Sequence, residues 1–235
     1  MKKIFRQSDD VLTVIIRSKT ANGKIADVGE VVVQTYHYTR EQFELAQGKT
    51  TMKDFFSHDA AVCMDCPFAV SNGAKLSACY THKLYQYSGF LSSLRSITQE
   101  WDEIPMLTDD LVDEIVEMST GYYVRFGTYG EPSLLPFDLI SRICAVAKTW
   151  TGYTHQWRKN VDLAAYFMAS VHTLEEVAHA AALGFRSFLA SPLEPKELVN
   201  CPASAEAGFK STCSKCGLCS GTMGKGRKSI YILEH

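Results

Sequence analysis

Long apolar runs are missing from this sequence: no stretch approaches the roughly 18 apolar residues that a membrane-spanning helix requires. No membrane partner is therefore expected. An excess of either charge is missing too, since 24 Lys and Arg stand against 26 Asp and Glu for a net charge of -2. The surface as a whole favours neither a phosphate backbone nor an anionic lipid, so any nucleic-acid contact has to come from a local patch. Internal repeats and low-complexity tracts are absent, which excludes collagenous and wholly disordered chains. With 235 residues, 46% of them hydrophobic, the chain is long enough to bury one good core or one core plus a small appendage.

Several signatures of common chemistry are missing as well. Ser18-Lys19-Thr20 lacks the preceding glycines that cradle phosphate in a Walker loop. No G-x-S-x-G elbow marks a serine nucleophile. His37 is flanked by Tyr36 and Tyr38, so the paired histidines of an HUH-type nickase are not there. The first ten residues, MKKIFRQSDD, are basic but reach no apolar core of a signal peptide, and the expected location is a cytoplasm, that of a host cell.

Cysteine is what the chain has in plenty. In a reducing compartment eight cysteines are a poor disulfide framework, and their grouping argues for metal. Cys213, Cys216 and Cys219 form a C-x2-C-x2-C run, with Cys201-Pro202 upstream. Four thiolates at this spacing suit a 4Fe-4S cubane of ferredoxin type. Cys213-Ser-Lys-Cys216-Gly217 is equally the C-x-x-C-G knuckle of a zinc ribbon, where glycine permits the positive φ of the tight turn. A complete four-thiolate shell points to a structural or electron-transfer role. The earlier group, Cys63, Cys66 and Cys79, supplies only three thiolates. A cluster so held keeps one iron open, whereas zinc would recruit a fourth ligand, for which His82 is preferred over His58. Cys144, among apolar residues at helical spacing, is read as core.

Periodicity predicts an α/β fold. Strands over 11–17 and 30–38 form an N-terminal β-hairpin, and helices follow near 40–46, 82–97 and 108–118. From Gly121 the chain alternates strand and helix, giving βα units on a partial (β/α) barrel or an open parallel sheet. The best-marked helix, near 174–183, opens on Thr173 and Glu176 as a capping box and closes at Gly184. A cysteine-rich, metal-binding C-terminal tail then leads into a last strand at 229–235. The segments are 1–120, 121–195 and 196–235, together one compact domain.

Chemistry is expected at the C-terminal ends of the strands. Gly127, Gly130 and Glu131 follow one predicted strand. The two glycines would let backbone approach a ligand, and Glu131 would hold an amino group or act as a base, unless it merely caps the next helix. Arg125, inside that otherwise apolar strand, strengthens the first reading. Tyr153, His155 and Trp157 follow the next strand, as pocket walls with His155 as general acid or base, or as plain packing. His172 marks a third strand end and equally suits the cap of the following helix.

Taken in order, Val33 to Tyr36, Cys63-x-x-Cys66-Pro67, Cys79-Tyr80, the Gly127 to Pro132 turn, Thr151 to Trp157, Met168 to Ser170 and Cys201 to Cys219 resemble a family of uncharacterised proteins encoded by phages, prophages and plasmids. That likeness implies a mobile-element context and no activity. More distantly, three early cysteines followed by Gly130-Glu131-Pro132 resemble radical S-adenosylmethionine enzymes. This likeness implies a partial barrel, an open cluster on Cys63, Cys66 and Cys79, contact between Glu131 and S-adenosylmethionine, and an auxiliary cluster in the tail. The chain departs from the usual C-x3-C-x2-C spacing, and no glycine doublet precedes Glu131.

Two functions are carried forward. One is an iron-sulfur enzyme acting on a small-molecule or nucleotide substrate. The other is a zinc-stabilised binding protein whose Lys225, Arg227 and Lys228 touch nucleic acid or a host protein, though the same charges also suit a solvated loop.

Overall fold

β-Branched and aromatic residues alternate along Val11–Lys19 and Val31–Thr39, and in the computed structural model, which describes residues 1–192 and 194–233, these segments pair antiparallel as β2 and β3. Ahead of them Lys2–Arg6 adds an antiparallel edge strand, β1, along β2. The short polar-and-basic run at the N-terminus gave no strand signal of its own. It is recruited by the open edge of β2, where Ile4 and Phe5 find apolar neighbours.

Threonine caps start several of the helices, each side chain accepting the amide three residues on. Thr39 opens α1 (Arg40–Gln47) with a full capping box to Gln42, and Thr51 opens α2 (Met52–Ser57). A short turn, α3 (Ala60–Cys63), then leads through the three-cysteine loop to α4 (Leu84–Arg95), and Thr108 caps α5 (Asp109–Ser119).

Beyond these lie β4 (Tyr123–Tyr129), α6 (Phe137–Val146), β5 (Thr149–Thr151), β6 (Tyr153–Thr154), β7 (Met168–Val171), α7 (Leu174–Ala182), β8 (Ser187–Ser191), β9 (Val199–Asn200), α8 (Cys213–Cys216) and β10 (Ile230–Leu233). The last two residues of the strand expected at 229–235 lie outside the described residues. Thr173 caps α7 as expected, but the Glu176 carboxylate takes the amide of His172 at 2.7 Å, so only half of the predicted box forms.

Among the described residues the strands build two five-stranded sheets, ordered β1-β2-β3-β4-β5 and β6-β7-β8-β10-β9. From β3 onward every pairing is parallel. The first sheet is thus mixed and the second wholly parallel. Only Gly152 separates β5 from β6, so the edge of one sheet runs directly into the edge of the other. A Cβ on Gly152 would collide with the Phe167 ring, and its amide reaches the Cys219 carbonyl at 3.3 Å. Strand pairs cross both expected segment boundaries, β3 with β4 and β8 with β10.

Strand alternation then sorts the side chains. Val124 and Phe126 on β4, Ala169 and Val171 on β7 and Leu189 on β8 join the main core, which α5, α6 and α7 cover with Ile115, Leu139, Ile143 and Ala180. Full burial of one such side chain contributes about 2 kcal/mol. Smaller clusters lie apart from this core, among them one of Ile25, Ala26, Val32 and Tyr123. Tyr38, Phe55, Phe56, Phe90 and Tyr129 form an aromatic cluster with α1, α2 and α4. Met168 and Ile230 meet the cysteine-rich tail, with Phe188 and Tyr153 packed alongside. The tail is therefore no appendage, because it fills the face that the helices leave open.

Candidate functional site

The tail quartet is assembled by backbone anchors. Cys201 follows β9 and bonds its amide to the Tyr231 carbonyl at 2.9 Å. α8 docks on the β2–β3 connection, with Cys213 and Ser214 amides on the carbonyls of Lys24 and Ile25 at 3.0 and 2.8 Å. Gly217 ends that turn at φ 62°, the positive value the knuckle spacing predicts. As a result Cys201, Cys213, Cys216 and Cys219 line one small cavity of about 20 Å³, walled by Thr151, Tyr153 and Ile230. Burial pushes the thiols of Cys201, Cys213 and Cys219 above their ordinary range, so thiolates here call for a compensating cation.

Tyr153 belongs to this tail site. Its ring packs on Phe188 at 4.5 Å and its hydroxyl hydrogen-bonds the Cys219 thiol. His155, two residues on, lies elsewhere, and Trp157 is fully buried with its indole N–H on the Ser170 carbonyl at 3.1 Å. The three residues that sequence groups as one pocket wall are thus divided among three environments. The kink at Gly152 and the turn after Thr154 break the spacing argument.

The three-cysteine loop stands at the C-terminal ends of β3 and β4. Its scaffold is Asp59, a buried residue whose carboxylate accepts the amides of Val70 and Ser71, both at 3.1 Å. Sequence reading missed it, because its partners lie eleven and twelve residues on and it makes no side-chain cap to the helix that it precedes. Cys66 donates its amide to the Cys63 carbonyl at 3.0 Å, and Cys79 Sγ meets the Thr81 hydroxyl at 3.0 Å. The three thiols and Glu131 share one electrostatic neighbourhood, each negative group making the next harder to ionise. Burial is the larger cause, holding Cys63 well above its usual range, pushing Cys66 up to about 12 and raising Cys79.

The Gly127 to Pro132 turn is fitted against this loop. The Glu131 amide donates to the Val62 carbonyl at 2.7 Å. A Cβ on Gly130, at φ 83°, would stand 2.8 Å from His37 Cβ and 3.3 Å from the Val62 carbonyl. Gly127, at φ 62°, would similarly crowd the Gly130 carbonyl and the Pro132 ring, both at 2.9 Å. Both glycines therefore serve close approach of chain to chain. Glu131 is 3% exposed, and its carboxylate accepts the amides of His155 at 2.9 Å and Ser133 at 3.3 Å. It caps the short helical turn at Pro132–Leu134 and ties the end of β4 to the end of β6. Burial raises its pKa.

Beside the loop a cleft of about 370 Å³ opens at the ends of β6 and β7. Asp65 and Pro67 form one wall, and His155, Ser170 and His172 the other. His155 and His172 stack at 5.9 Å, and Phe68 packs edge-on against His172 at 4.7 Å. Burial lowers the His155 pKa to about 4, leaving it neutral at pH 7. Arg158 and Lys159 at the rim pair with Glu176 at 2.6 Å and Asp65 at 2.5 Å.

His82 does not face this cleft. Its ring lies on Phe56 at 4.0 Å with Nδ1 on the Leu76 carbonyl at 3.0 Å, while His58 is exposed. Cys144 is buried in the helical core, as expected. Among the described residues, no three His, Cys, Asp or Glu side chains converge as a single metal ion requires. No helix among them is long and apolar enough to cross a membrane. No family model, curated protein or solved structure matches the chain.

Proposed function

We propose that this protein is an iron-sulfur enzyme of radical S-adenosylmethionine-like architecture, with Cys63, Cys66 and Cys79 holding an open 4Fe-4S cluster and the tail quartet a second, closed centre. The observation that carries the reading is the gathering of three thiols at the C-terminal ends of parallel strands, with the Gly130-Glu131 turn hydrogen-bonded to their loop through Val62. The parallel succession β3, β4, β5 with β6, β7, β8 and β10 supports a partial βα barrel, whose chemistry belongs at that edge.

Both donor sets are all-thiolate, which is the ligand set a 4Fe-4S cluster takes. The loop offers three thiols, and the Asp59 carboxylate is engaged by the Val70 and Ser71 amides, which leaves one iron position for a ligand. When bound, such a cluster supplies an electron to S-adenosylmethionine at that position. The chain's own part is positioning. Glu131 is a strut between strand ends, neutral His155 can accept a proton at the cleft wall, and Arg158 and Lys159 offer charge to a carboxylate or phosphate.

Anaerobic purification tests this reading. Brown protein absorbing near roughly 400 nm, with iron and sulfide for about one or two clusters per chain, is expected and leads to a cleavage assay with S-adenosylmethionine. Colourless protein with stoichiometric zinc overturns it.

One observation favours a second reading. The Cys213–Cys216 knuckle with left-handed Gly217, around a cavity of about 20 Å³, also suits a single zinc in the tail. The chain would then be a zinc-stabilised binding protein, with exposed Lys225, Arg227 and Lys228 facing nucleic acid or a host protein.

A further inference from the structure

The segment around Cys79 is one of the chain's long carboxylate-free stretches. From Cys66 to Gln99 there is no Asp or Glu, while Lys75, Lys83 and Arg95 are all present and exposed. In the same stretch, directly after Cys79, Tyr80 is 55% exposed, Leu84 69% and Tyr85 70%. Large rings left in solvent beside unpaired cations are costly unless something covers them.

These rings are held in place. The Arg125 guanidinium donates to the Tyr80 hydroxyl at 2.7 Å and lies 5.7 Å from its ring centre. Turned with its amide nitrogen toward the loop, the orientation that satisfies both groups, Gln86 donates to the carbonyls of Tyr80 and Thr81, both at 2.8 Å, tying the loop to α4. Lys83 is the residue that precedes α4, and Tyr85 sits in its first turn. The platform is thus ordered before any partner arrives, which lowers the entropy lost on binding.

Exposed aromatic faces interleaved with lysines, in a stretch free of carboxylates, match one chemistry closely. Unpaired bases stack on the rings while phosphates meet the cations. A duplex keeps its base faces covered and gains only the charge term. We propose that this face binds single-stranded nucleic acid, with bases on Tyr80 and Tyr85 and phosphates on Lys75 and Lys83, and so brings a strand past Cys79. The binding itself needs no metal. As a statement of substrate class it rests on the enzyme reading above.

The test is fluorescence anisotropy on the full chain as isolated, its iron and zinc content measured on the same preparation. Labelled oligo-dT and oligo-rU of about 20 nucleotides, and a duplex of equal length, are titrated at about 50 and 200 mM salt. Both strands should bind, more weakly at high salt, with the duplex at least about tenfold weaker. Preference for one strand names RNA or DNA as the source, and either supports the proposal. Tyr85→Ala should weaken strand binding by about tenfold, the loss of one stacked base. Replacing both Lys75 and Lys83 by Ala should flatten the salt slope by about 0.7 per lysine.

Tyr85 is well exposed, so its variant keeps the fold, whereas Tyr80→Ala also frees Arg125 and serves only as confirmation. Equal affinity for duplex, no strand binding at the lower salt, or wild-type binding by both variants would overturn the proposal. Strand binding by iron-free protein would leave this surface standing and sink the cluster reading alone. Iron-loaded protein that ignores the strand would do the reverse.

Discussion

The two cysteine groups differ in how the fold encloses them. The tail quartet lies against the face of the second sheet that the helices leave open, its amides bonded to β10 and to the β2–β3 connection, with Cys201 and Cys219 each 8% exposed. The loop trio stands at the rim on short turns held by the Asp59 carboxylate and the Val62 carbonyl, and beside it opens a cleft of about 370 Å³. On the proposed reading the walled quartet is the closed centre and the trio at the rim the open one. The same side chain thus serves two ends, and its enclosure decides which.

Cysteine deletion should break this comparison most sharply. Cys219→Ala removes a thiol from the middle of the tail and its bond to Tyr153, and metal-site loss there should cost at least about 3 kcal/mol. Cys79→Ala, at the rim, should cost less than about 1 kcal/mol while emptying its own site. Metal analysis with chemical denaturation of both variants checks this. Equal destabilisation would mean that the two groups form one structural unit.

Glycine replacement sharpens the distinction at the backbone. Gly130→Ala forces a side chain into positive φ and against His37 and Val62, which should push the trio's loop from the strand ends at about 2–3 kcal/mol. Metal retained by the quartet but lost from the trio is the expected outcome. A variant that lost both would show that the Glu131 strut supports the tail as well.

Much of this contrast was legible in sequence. Spacing alone marked the quartet, the knuckle glycine and the trio, because cysteines on a tight turn leave a local signature. The β2–β3 hairpin, α7 and the alternation after Gly121 were equally visible in periodicity. Long-range packing was not. Nothing local announces that Gly152 joins two sheets, that Tyr153 faces the tail while His155 faces the cleft, or that the glycines before Glu131 are filled by the chain itself. The β1 edge strand escaped for the same reason, since its partner supplies what its own composition lacks.

Acid should act on the rim side through His37. This side chain is fully buried on β3 against Gly130, with Nδ1 on the Thr13 hydroxyl at 2.9 Å, and burial lowers its pKa from 6.5 to about 3. Between those values the unfolded chain takes a proton that the native chain refuses, so stability is lost as pH falls below about 6.5, on the order of 1 kcal/mol per pH unit. His37→Leu should remove that slope, as read from urea midpoints at pH 7 and about pH 5. A variant with the wild-type slope would move the acid sensitivity to His155.

The smallest effect tests whether the two groups sense each other. Arg125 stands on β4 in register with Thr151, which lines the quartet cavity, and it bonds Tyr80 next to Cys79. Burial raises the Cys213 pKa, and the Arg125 charge opposes that rise. Removing the charge should leave less thiolate at Cys213, so Arg125→Met protein stripped of metal should alkylate more slowly there. The expected change is severalfold, with stability altered by less than about 1 kcal/mol because the hydrogen bond lost goes to the exposed Tyr80 and Met keeps the packing of the stem. Cys63 and Cys66 should react at wild-type rates, since their pKa shifts trace to burial and to neighbouring carboxylates and thiols. If mass spectrometry found their rates changed together with Cys213, one charge would be governing both groups, and the division into a closed site and a rim site would fail as an electrostatic description.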